Sequence, residues 1–301
     1  MYADRCPAAC EHWVVSGTSL ISVIVTTYNR EDALDAVIRA LGAQSDQNFE
    51  IIIADDGSGP DTTSLIESWK SRLALPLKHV RHEHRGFRGG EIRNRGIRAS
   101  AGALCIFLDG DCVARPDFIA AHRRLYEPGW FVTGNRILLS RELTAAILAQ
   151  GLAPQMWNFA TLLRQRLSGG VNRLAPAVHL PLGPLRKLHS ASWHGAQTCN
   201  LAVARSDLDH VDGFDNAFVG WGLEDSDLVV RLLRAGVRRK DGRFATGVLH
   251  LWHPWNDRAQ FAANRKRLEE TIEGTRVCAL RGLSALPGED EMSTHSSMAQ
   301  P

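Results

Sequence analysis

Short apolar segments in the first third of the chain alternate with segments of helical spacing, and this alternation most restricts the possible folds. Most of the apolar segments are rich in β-branched residues and have no polar face, which is typical of strands buried inside a parallel sheet. They predict strands at 20–25, 49–54, 77–81 and 104–108, and the spacing between them predicts helices at 32–41, 62–71 and 90–100. Such an alternation predicts an α/β fold with a mostly parallel central sheet flanked by helices.

Polar clusters follow three of these predicted strands, each at the point where the strand ends. The clusters are Thr26, Thr27, Tyr28, Asn29 and Arg30, then Asp55 and Asp56, and then residues 109–111. Ligands of open parallel sheets bind outside the carboxyl ends of the strands, so we expect the three clusters to line one cleft. Each cluster taken alone also fits an ordinary turn in which Asp or Ser caps the next helix.

Composition and charge restrict the class of partner. A net charge of +2 over 301 residues, without a basic run interleaved with aromatic residues, argues against nucleic-acid binding. The chain contains no run of about 18 apolar residues, so no membrane-spanning helix is predicted. The first residues do not resemble a secretory signal. The six cysteines include no CxxC pair and fit a reducing compartment, so we expect a cytoplasmic protein.

Asp109, Gly110 and Asp111 place two carboxylates around a glycine at the end of an apolar strand. Two carboxylates held close together are costly unless a cation joins them. Oxygen ligands suit Mn²⁺ or Mg²⁺, so the cluster predicts a divalent metal site that can also bind a diphosphate. His250 and His253 end a late apolar segment, and either could complete the metal site or be purely structural.

A second acidic cluster lies in residues 220–228, which read GWGLEDSDL. Its three carboxylates begin a predicted helix, where the helix dipole and capping alone would favour them. Trp221 and Gly222 come just before, and an exposed indole is a suitable platform for a sugar ring. A carboxylate beside that platform could accept the proton of an acceptor hydroxyl group.

The chain resembles family 2 glycosyltransferases in five stretches that occur in the expected order over residues 20–230. They are SVIVTTYNRED, FEIIIADDGS, EIRNRGI, LCIFLDGDC and GWGLEDSDL. The last, with the preceding GAQTCNLAVARSDLDHVDGFD, is also similar to the acceptor-side segment of chondroitin-type polymerases and β-1,4-galactosyltransferases. The resemblance implies a GT-A fold with a Rossmann-like sheet, and transfer of a sugar from a nucleotide-sugar donor, a UDP-sugar in the first instance.

The resemblance also implies a role for each candidate residue. Around the donor it places Thr26, Thr27, Tyr28, Asn29, Arg30, Asp55, Asp56, Arg93, Asn94, Asp109 and Gly110. The metal, Mn²⁺ or Mg²⁺, would be bound by Asp109 and Asp111, with His250 or His253 as a further ligand. Asp225 would be the catalytic base of an inverting transfer, and Trp221, Gly222 and Glu224 would hold the acceptor sugar.

These assignments divide the chain into segments. We expect an N-terminal extension at 1–18, a nucleotide-sugar-binding half at 19–133, a helical or irregular insertion at 134–194, an acceptor-binding and catalytic half at 195–256, a C-terminal helix at 257–286 and a disordered tail at 287–301. The insertion is basic, with seven arginines or lysines against one glutamate in residues 134–190. It indicates either a solvated face or contact with an anionic acceptor or the inner membrane surface.

Two other functions compete with the transferase hypothesis. A nucleotidyltransferase could use the same sheet, but it would need a glycine-rich triphosphate loop, and residues 26–32 contain no glycine. A non-catalytic nucleotide-sugar-binding module would not need the carboxylates at 224–227, all of which are present. We therefore expect an enzyme that glycosylates a glycan or lipid-linked acceptor, in bacterial surface polysaccharide or lipopolysaccharide synthesis.

Overall fold

The structure is a computed structural model that describes residues 19–255 and 257–287, so the predicted extension at 1–18 and most of the predicted tail lie outside the described residues. The strands are β1 (Ile21–Thr27), β2 (Phe49–Asp55), β3 (Leu77–Arg81), β4 (Leu104–Asp109), β5 (Cys112–Ala114), β6 (Trp130–Thr133), β7 (Arg136–Leu138), β8 (Asn200–Ala204), β9 (Arg238–Asp241) and β10 (Val248–His250). The α-helices are α1 (Glu31–Gly42), α2 (Pro60–Lys70), α3 (Gly89–Ala99), α4 (Phe118–Leu125), α5 (Arg141–Gln150), α6 (Phe159–Leu167), α7 (Arg205–His210), α8 (Glu224–Arg234) and α9 (Phe261–Glu273). Among these helices, none combines the length and the apolar character that a membrane span requires.

The main sheet has the strand order β3-β2-β1-β4-β8-β6-β9. Strands β1 to β4 pair in parallel, whereas β8 runs antiparallel between β4 and β6. The predicted mixed α/β fold with a mostly parallel central sheet is confirmed. The antiparallel β8 is a feature that the strand–helix alternation did not indicate.

Both faces of the main sheet are covered, which explains why its central strands have no polar face. Val23 and Val25 of β1 pack in a cluster with the buried side of α1, whereas Ile24 packs on the other face in a cluster with residues of α3 and α8. Alternate residues of one strand thus enter two separate cores. This burial holds the ends of the strands, and the loops that follow them, in fixed positions.

A small second sheet has the order β5-β10-β7 and extends the fold beside the end of β4. Its strand β10 pairs antiparallel with β5, so that His250 lies opposite Cys112. Strand β7, within the predicted insertion at 134–194, pairs with β10 in parallel. The insertion therefore begins with a strand of this sheet and continues into α5 and α6.

The register of the main sheet brings the predicted polar clusters to one edge. Thr27 of β1 lies beside Asp55 of β2, and Thr26 lies beside Asp109 of β4. The loops that follow β1, β2 and β4 therefore emerge at the same level.

Candidate active site

A cavity of about 660 Å³ opens at this edge of the sheet. Of the residues predicted from the sequence, its lining includes Thr26, Thr27, Tyr28, Arg30, Asp56, Arg93, Asp109, Gly110, Asp111, Trp221, Gly222, Glu224, Asp225 and His253. The two acidic clusters, which are more than a hundred residues apart in the chain, therefore border the same space. All three polar clusters therefore contribute residues to one cleft, although not every predicted residue lines it.

Four predicted residues, Asn29, Asp55, Asn94 and His250, do not belong to the cavity lining. The first three instead hold the loops around it. The carboxylate of Asp55 accepts a hydrogen bond from the Ser58 backbone N–H at 2.8 Å and contacts His79 Nε2 at 3.1 Å. Asn29 Oδ1 accepts from the Gly59 backbone N–H at 2.8 Å. Asn94 is fully buried, and its side-chain amide exchanges hydrogen bonds with the Phe214 backbone.

The loop after β1 offers the cavity both hydroxyl groups and an aromatic ring. The Oγ1 atoms of Thr26 and Thr27 are buried without a hydrogen-bond partner in the described part of the chain. Tyr28 stacks on His84 with ring centroids 4.4 Å apart. Buried polar groups are costly when unpaired, so the two hydroxyl groups favour a polar ligand at this place.

Gly110 lets the loop after β4 cross close to the end of β1. Its backbone N–H donates to the Thr26 carbonyl at 2.8 Å. A Cβ atom at this position would lie 2.9 Å from that carbonyl oxygen and 3.2 Å from the Thr27 side chain. Only glycine fits this approach without displacement, and the two flanking aspartates are thereby held at the cavity wall.

A candidate metal centre forms where Asp111 meets the end of β10. The Nε2 atoms of His250 and His253 each lie 3.5 Å from a carboxylate oxygen of Asp111, and one donor atom from each residue lies within 4.8 Å of the others. Burial lowers the pKa of His250, although the charge of Asp111 opposes this, so its imidazole favours the neutral form that binds metals. One carboxylate and two imidazoles form a donor set that suits a divalent transition metal.

A second group of donor atoms, from Asp109, Cys112 and Cys199, lies nearby. The guanidinium of Arg136 lies 3.4 Å from Cys199 Sγ, and its positive charge disfavours a cation at this place. Burial also raises the pKa of the Cys112 thiol well above its usual range, which keeps it protonated. The Asp111 group is therefore the better metal site.

Arg93 connects the two acidic clusters. Its buried guanidinium contacts Glu224 Oε1 at 3.0 Å and Asp109 Oδ1 at 3.3 Å. Burial would lower the pKa of Arg93, but the neighbouring carboxylates outweigh it and raise that pKa. The charge on Arg93 thus holds the start of α8 against the end of β4.

Backbone strain marks the start of α8. Leu223 has φ of 77°, which is unusual for a residue with a side chain, and Gly222 has φ of 102°. The Asn264 side-chain amide of α9 braces this turn by donating to the carbonyl oxygens of Val219 and Gly222, each at 3.1 Å. The turn directs Glu224 and Asp225 to the cavity.

The third carboxylate of the cluster, Asp227, points elsewhere. It is fully buried and binds Arg231 Nε at 2.8 Å, the Thr271 hydroxyl at 2.7 Å and Arg276 at 2.9 Å. Asp227 therefore joins α8 to α9, so only Glu224 and Asp225 of this cluster are available at the cavity.

The surroundings of Asp225 shift the pKa of its carboxylate toward neutrality. Burial raises the pKa of Asp225 to about 7, and the charge of Glu224 adds to this while Arg93 opposes it. One carboxylate oxygen of Glu224, Oε2, is buried without a partner among the described residues. A carboxylate with a pKa near neutrality can take up a proton during catalysis at neutral pH.

Aromatic side chains form the remaining side of the cavity, and most of them were not among the predicted site residues. Trp221 lies near-parallel to Phe261, with ring centroids 6.1 Å apart. The guanidinium of Arg258 lies 5.1 Å from the Trp221 ring and 5.2 Å from that of Trp255. Apolar faces of this kind match the C–H faces of a sugar ring.

Arg136 and residues 195–199 also line the cavity, and the sequence did not predict them as site residues. Arg136 forms no ion pair in the described part of the chain. Its positive charge borders the same cavity as Asp109 and Asp111. The sequence did contain an indication of Arg136, because residues 130–133 are a further apolar segment that is followed by polar residues. Residues 195–199 belong to a stretch that carried the family resemblance, but no role was predicted for them.

Most arginines of segment 85–95 are paired locally. Arg85 binds Glu83, whereas Arg88 and Arg95 both bind Glu91. None of these three arginines lines the cavity. Within segment 85–95, Arg93 is the arginine that borders the cavity.

Comparison with known proteins agrees with this geometry. The sequence profile described as glycosyl transferase family 2 matches residues 22–172, about half of the chain. A second profile, described as the N-terminal domain of galactosyltransferase, matches residues 186–253. The second match covers the segment for which the sequence resembled galactosyltransferases.

Curated relatives and solved structures are distant but extend over most of the chain. The chain is 28% identical over 262 residues to validoxylamine A glucosyltransferase of Streptomyces hygroscopicus subsp. limoneus, covering 80% of this chain and 53% of that protein. It is 25% identical over 228 residues to chondroitin synthase of Pasteurella multocida, covering 72% and 23%. The chain thus spans about half the length, or less, of these relatives.

A solved structure shares the fold. The mannosyltransferase PcManGT from Pyrobaculum calidifontis, in complex with GDP-Man and Mn²⁺, superposes with a TM-score of 0.57 at 19% identity. The match covers 88% of this chain and 68% of that one. It confirms the predicted GT-A fold.

Proposed function

The chain belongs to glycosyl transferase family 2, and we propose that it transfers a hexose or N-acetylhexosamine from a nucleotide diphosphate sugar to a hydroxyl group of a glycan or lipid-linked acceptor. The observation that carries the proposal is the single cavity bordered by Asp109, Asp111 and Asp225. A chondroitin synthase among the relatives supports a glycan acceptor. We take a UDP-sugar as the first donor to test, and bacterial surface polysaccharide or lipopolysaccharide synthesis in the cytoplasm as the setting.

On the donor side, we assign the nucleotide to the loops after β1 and β2. The unpaired hydroxyl groups of Thr26 and Thr27 would bind it, and Tyr28 and Asp56 border the same space. The contacts of Asn29, Asp55 and Asn94 support a positioning role for these three residues beside the nucleotide.

A divalent ion would be held by Asp109, Asp111, His250 and His253, with Mn²⁺ or Mg²⁺ as the candidates. The grouping of Asp111 with the two imidazoles supports the assignment of these three residues, and Asp109 borders the same cavity as Asp111. When bound, the ion supplies positive charge that stabilises the nucleoside diphosphate as a leaving group. Arg136, which forms no ion pair in the described residues, would add to that stabilisation.

Replacing Arg136 by methionine is expected to weaken donor binding roughly 10- to 100-fold, because a charged hydrogen bond to the diphosphate is lost. The measurement is calorimetric titration of UDP in the presence of Mn²⁺. Arg124→Met is the matched control, since Arg124 is exposed on α4 and outside the cavity. Equal UDP affinity in both variants would remove Arg136 from the diphosphate site.

On the acceptor side, Asp225 would act as the base of a single inverting displacement. It accepts the proton of the acceptor hydroxyl while the hydroxyl oxygen forms a bond to the anomeric carbon. The bond between that carbon and the diphosphate oxygen breaks, and its electron pair leaves with the diphosphate. Trp221, Gly222 and Glu224 border the cavity beside Asp225 and would hold the acceptor sugar.

The rate of transfer is expected to depend on pH through Asp225. Its raised pKa, about 7, means that the proton stays bound to higher pH than on an ordinary aspartate. Since the base must be ionised, kcat/KM should rise with pH through about 7 and then level off. A profile of kcat/KM against pH checks this, and a rise completed near the ordinary pKa of aspartate would contradict the assignment.

A panel of nucleotide sugars tests the proposed function. With Mn²⁺ and a sugar acceptor, we expect release of a nucleoside diphosphate from a UDP-sugar and loss of that release with EDTA. Release of nucleoside diphosphate from a GDP-sugar instead would change the assigned donor but would still support sugar transfer. Binding of the donors without turnover would favour the binding module, and formation of pyrophosphate from a nucleoside triphosphate would favour a nucleotidyltransferase.

A further inference from the structure

Helix α6 presents an apolar stripe to solvent. Phe159, Leu163 and Leu167 follow one another at a four-residue spacing, so they share one face of the helix. Their exposed fractions are 50%, 41% and 81%, whereas Leu162 is buried against the body of the protein. Met156, which lies in a separate short turn before the helix, is also exposed.

Two arginines border this stripe on opposite sides. Arg164 comes one residue after Leu163 and Arg166 one residue before Leu167, which places them at the two edges of the apolar face. Both side chains are exposed, and neither forms an ion pair or a side-chain hydrogen bond with another described residue. Glu142 is the single acidic residue of the whole segment 134–190.

We propose that α6 lies in the surface of a bilayer containing anionic lipids, with its apolar stripe among the acyl chains and its arginines at the headgroups. Burial of the stripe favours such docking, and cations at both edges match negatively charged headgroups. A second copy of the chain fits this surface less well, because a symmetric contact through α6 would bring its arginines against their own copies.

Helix α6 is also connected to the candidate metal centre through a short series of backbone hydrogen bonds. The Ser140 N–H donates to the Gly170 carbonyl, just after α6, at 2.8 Å. The preceding residue, Leu139, donates its N–H to the His250 carbonyl at 3.0 Å. If the proposed transfer is correct, this connection would hold the cavity near a membrane that carries the acceptor, but docking itself does not depend on transfer.

Flotation with lipid vesicles tests the proposal without any substrate. We expect the protein to float with vesicles of phosphatidylcholine and phosphatidylglycerol, and not with phosphatidylcholine alone. The double variant Phe159→Ser, Leu167→Ser should bind the anionic vesicles at least about tenfold more weakly, because two apolar side chains no longer enter the bilayer. Arg164→Glu with Arg166→Glu should cause a loss of similar size, through charge repulsion.

Matched controls separate docking from general changes in the surface. Leu280→Ser removes an exposed leucine of the C-terminal segment, and Arg124→Glu reverses an exposed charge on α4, so both should bind vesicles like the unchanged protein. Thermal unfolding midpoints report folding, and nucleoside diphosphate release with a soluble acceptor reports transfer. Absence of binding to anionic vesicles, binding unaffected by the α6 substitutions, or self-association that those substitutions abolish would each overturn the proposal.

Discussion

Replacing Asp225 by asparagine is expected to lower kcat about 10²- to 10⁴-fold, the range in which general bases contribute to catalysis. The amide has nearly the same shape as the carboxylate but cannot accept the proton of the acceptor hydroxyl. Donor binding should stay intact, because Asp225 is not among the residues that we assign to the metal or to the diphosphate. The measurements are initial rates of nucleoside diphosphate release and calorimetric titration of UDP with Mn²⁺.

Asp61→Asn is the control for this substitution. Asp61 also lies in the first turn of a helix, α2, but it is exposed and outside the cavity. The same chemical change at the same kind of helix position should leave kcat unchanged. Near-normal turnover by Asp225→Asn would reject Asp225 as the base.

Replacing Asp111 by alanine is expected to abolish Mn²⁺ binding and to lower kcat/KM at least about a hundredfold, because the charge stabilisation supplied by a bound metal amounts to several kcal/mol. Asp111 contacts both imidazoles of the candidate metal centre, so its loss leaves the two imidazoles without their anionic partner. The disappearance of the free-ion electron paramagnetic resonance signal on titration measures Mn²⁺ binding directly.

A different aspartate–histidine pair provides the control. Asp117 contacts His179 at 3.1 Å and lies outside the cavity, so Asp117→Ala removes a comparable contact without touching the proposed metal site. We expect this variant to bind Mn²⁺ and to turn over normally. Unchanged Mn²⁺ affinity in Asp111→Ala would show that the metal binds elsewhere.

Much of the fold could be predicted because the central strands leave few alternatives. Continuous apolar runs such as residues 104–108 are typical of strands buried on both faces, and the helical spacing between the strands favours parallel pairing. The small sheet could not be predicted in the same way. Its strands β5, β7 and β10 have three residues each, which is too few for a period to be recognised.

The candidate site could be located from the sequence, but not the orientation of every side chain. Asp55 and Asp56 are adjacent and chemically identical, yet only Asp56 borders the cavity, because the turn after β2 holds Asp55 against Ser58 and His79. Asp227 likewise differs from Asp225 by its partners on the far side of α8. Such differences depend on tertiary contacts that a single sequence does not contain.

The most direct test of the proposed metal and donor site is anomalous diffraction from crystals grown with Mn²⁺ and UDP. We expect one strong manganese peak at ligand distance, about 2 Å, from Asp111 and at least one of His250 and His253, with the UDP diphosphate bound to the same ion in the cavity that Asp225 borders. A manganese peak at the Cys112 and Cys199 thiols, or a UDP molecule outside that cavity, would contradict it.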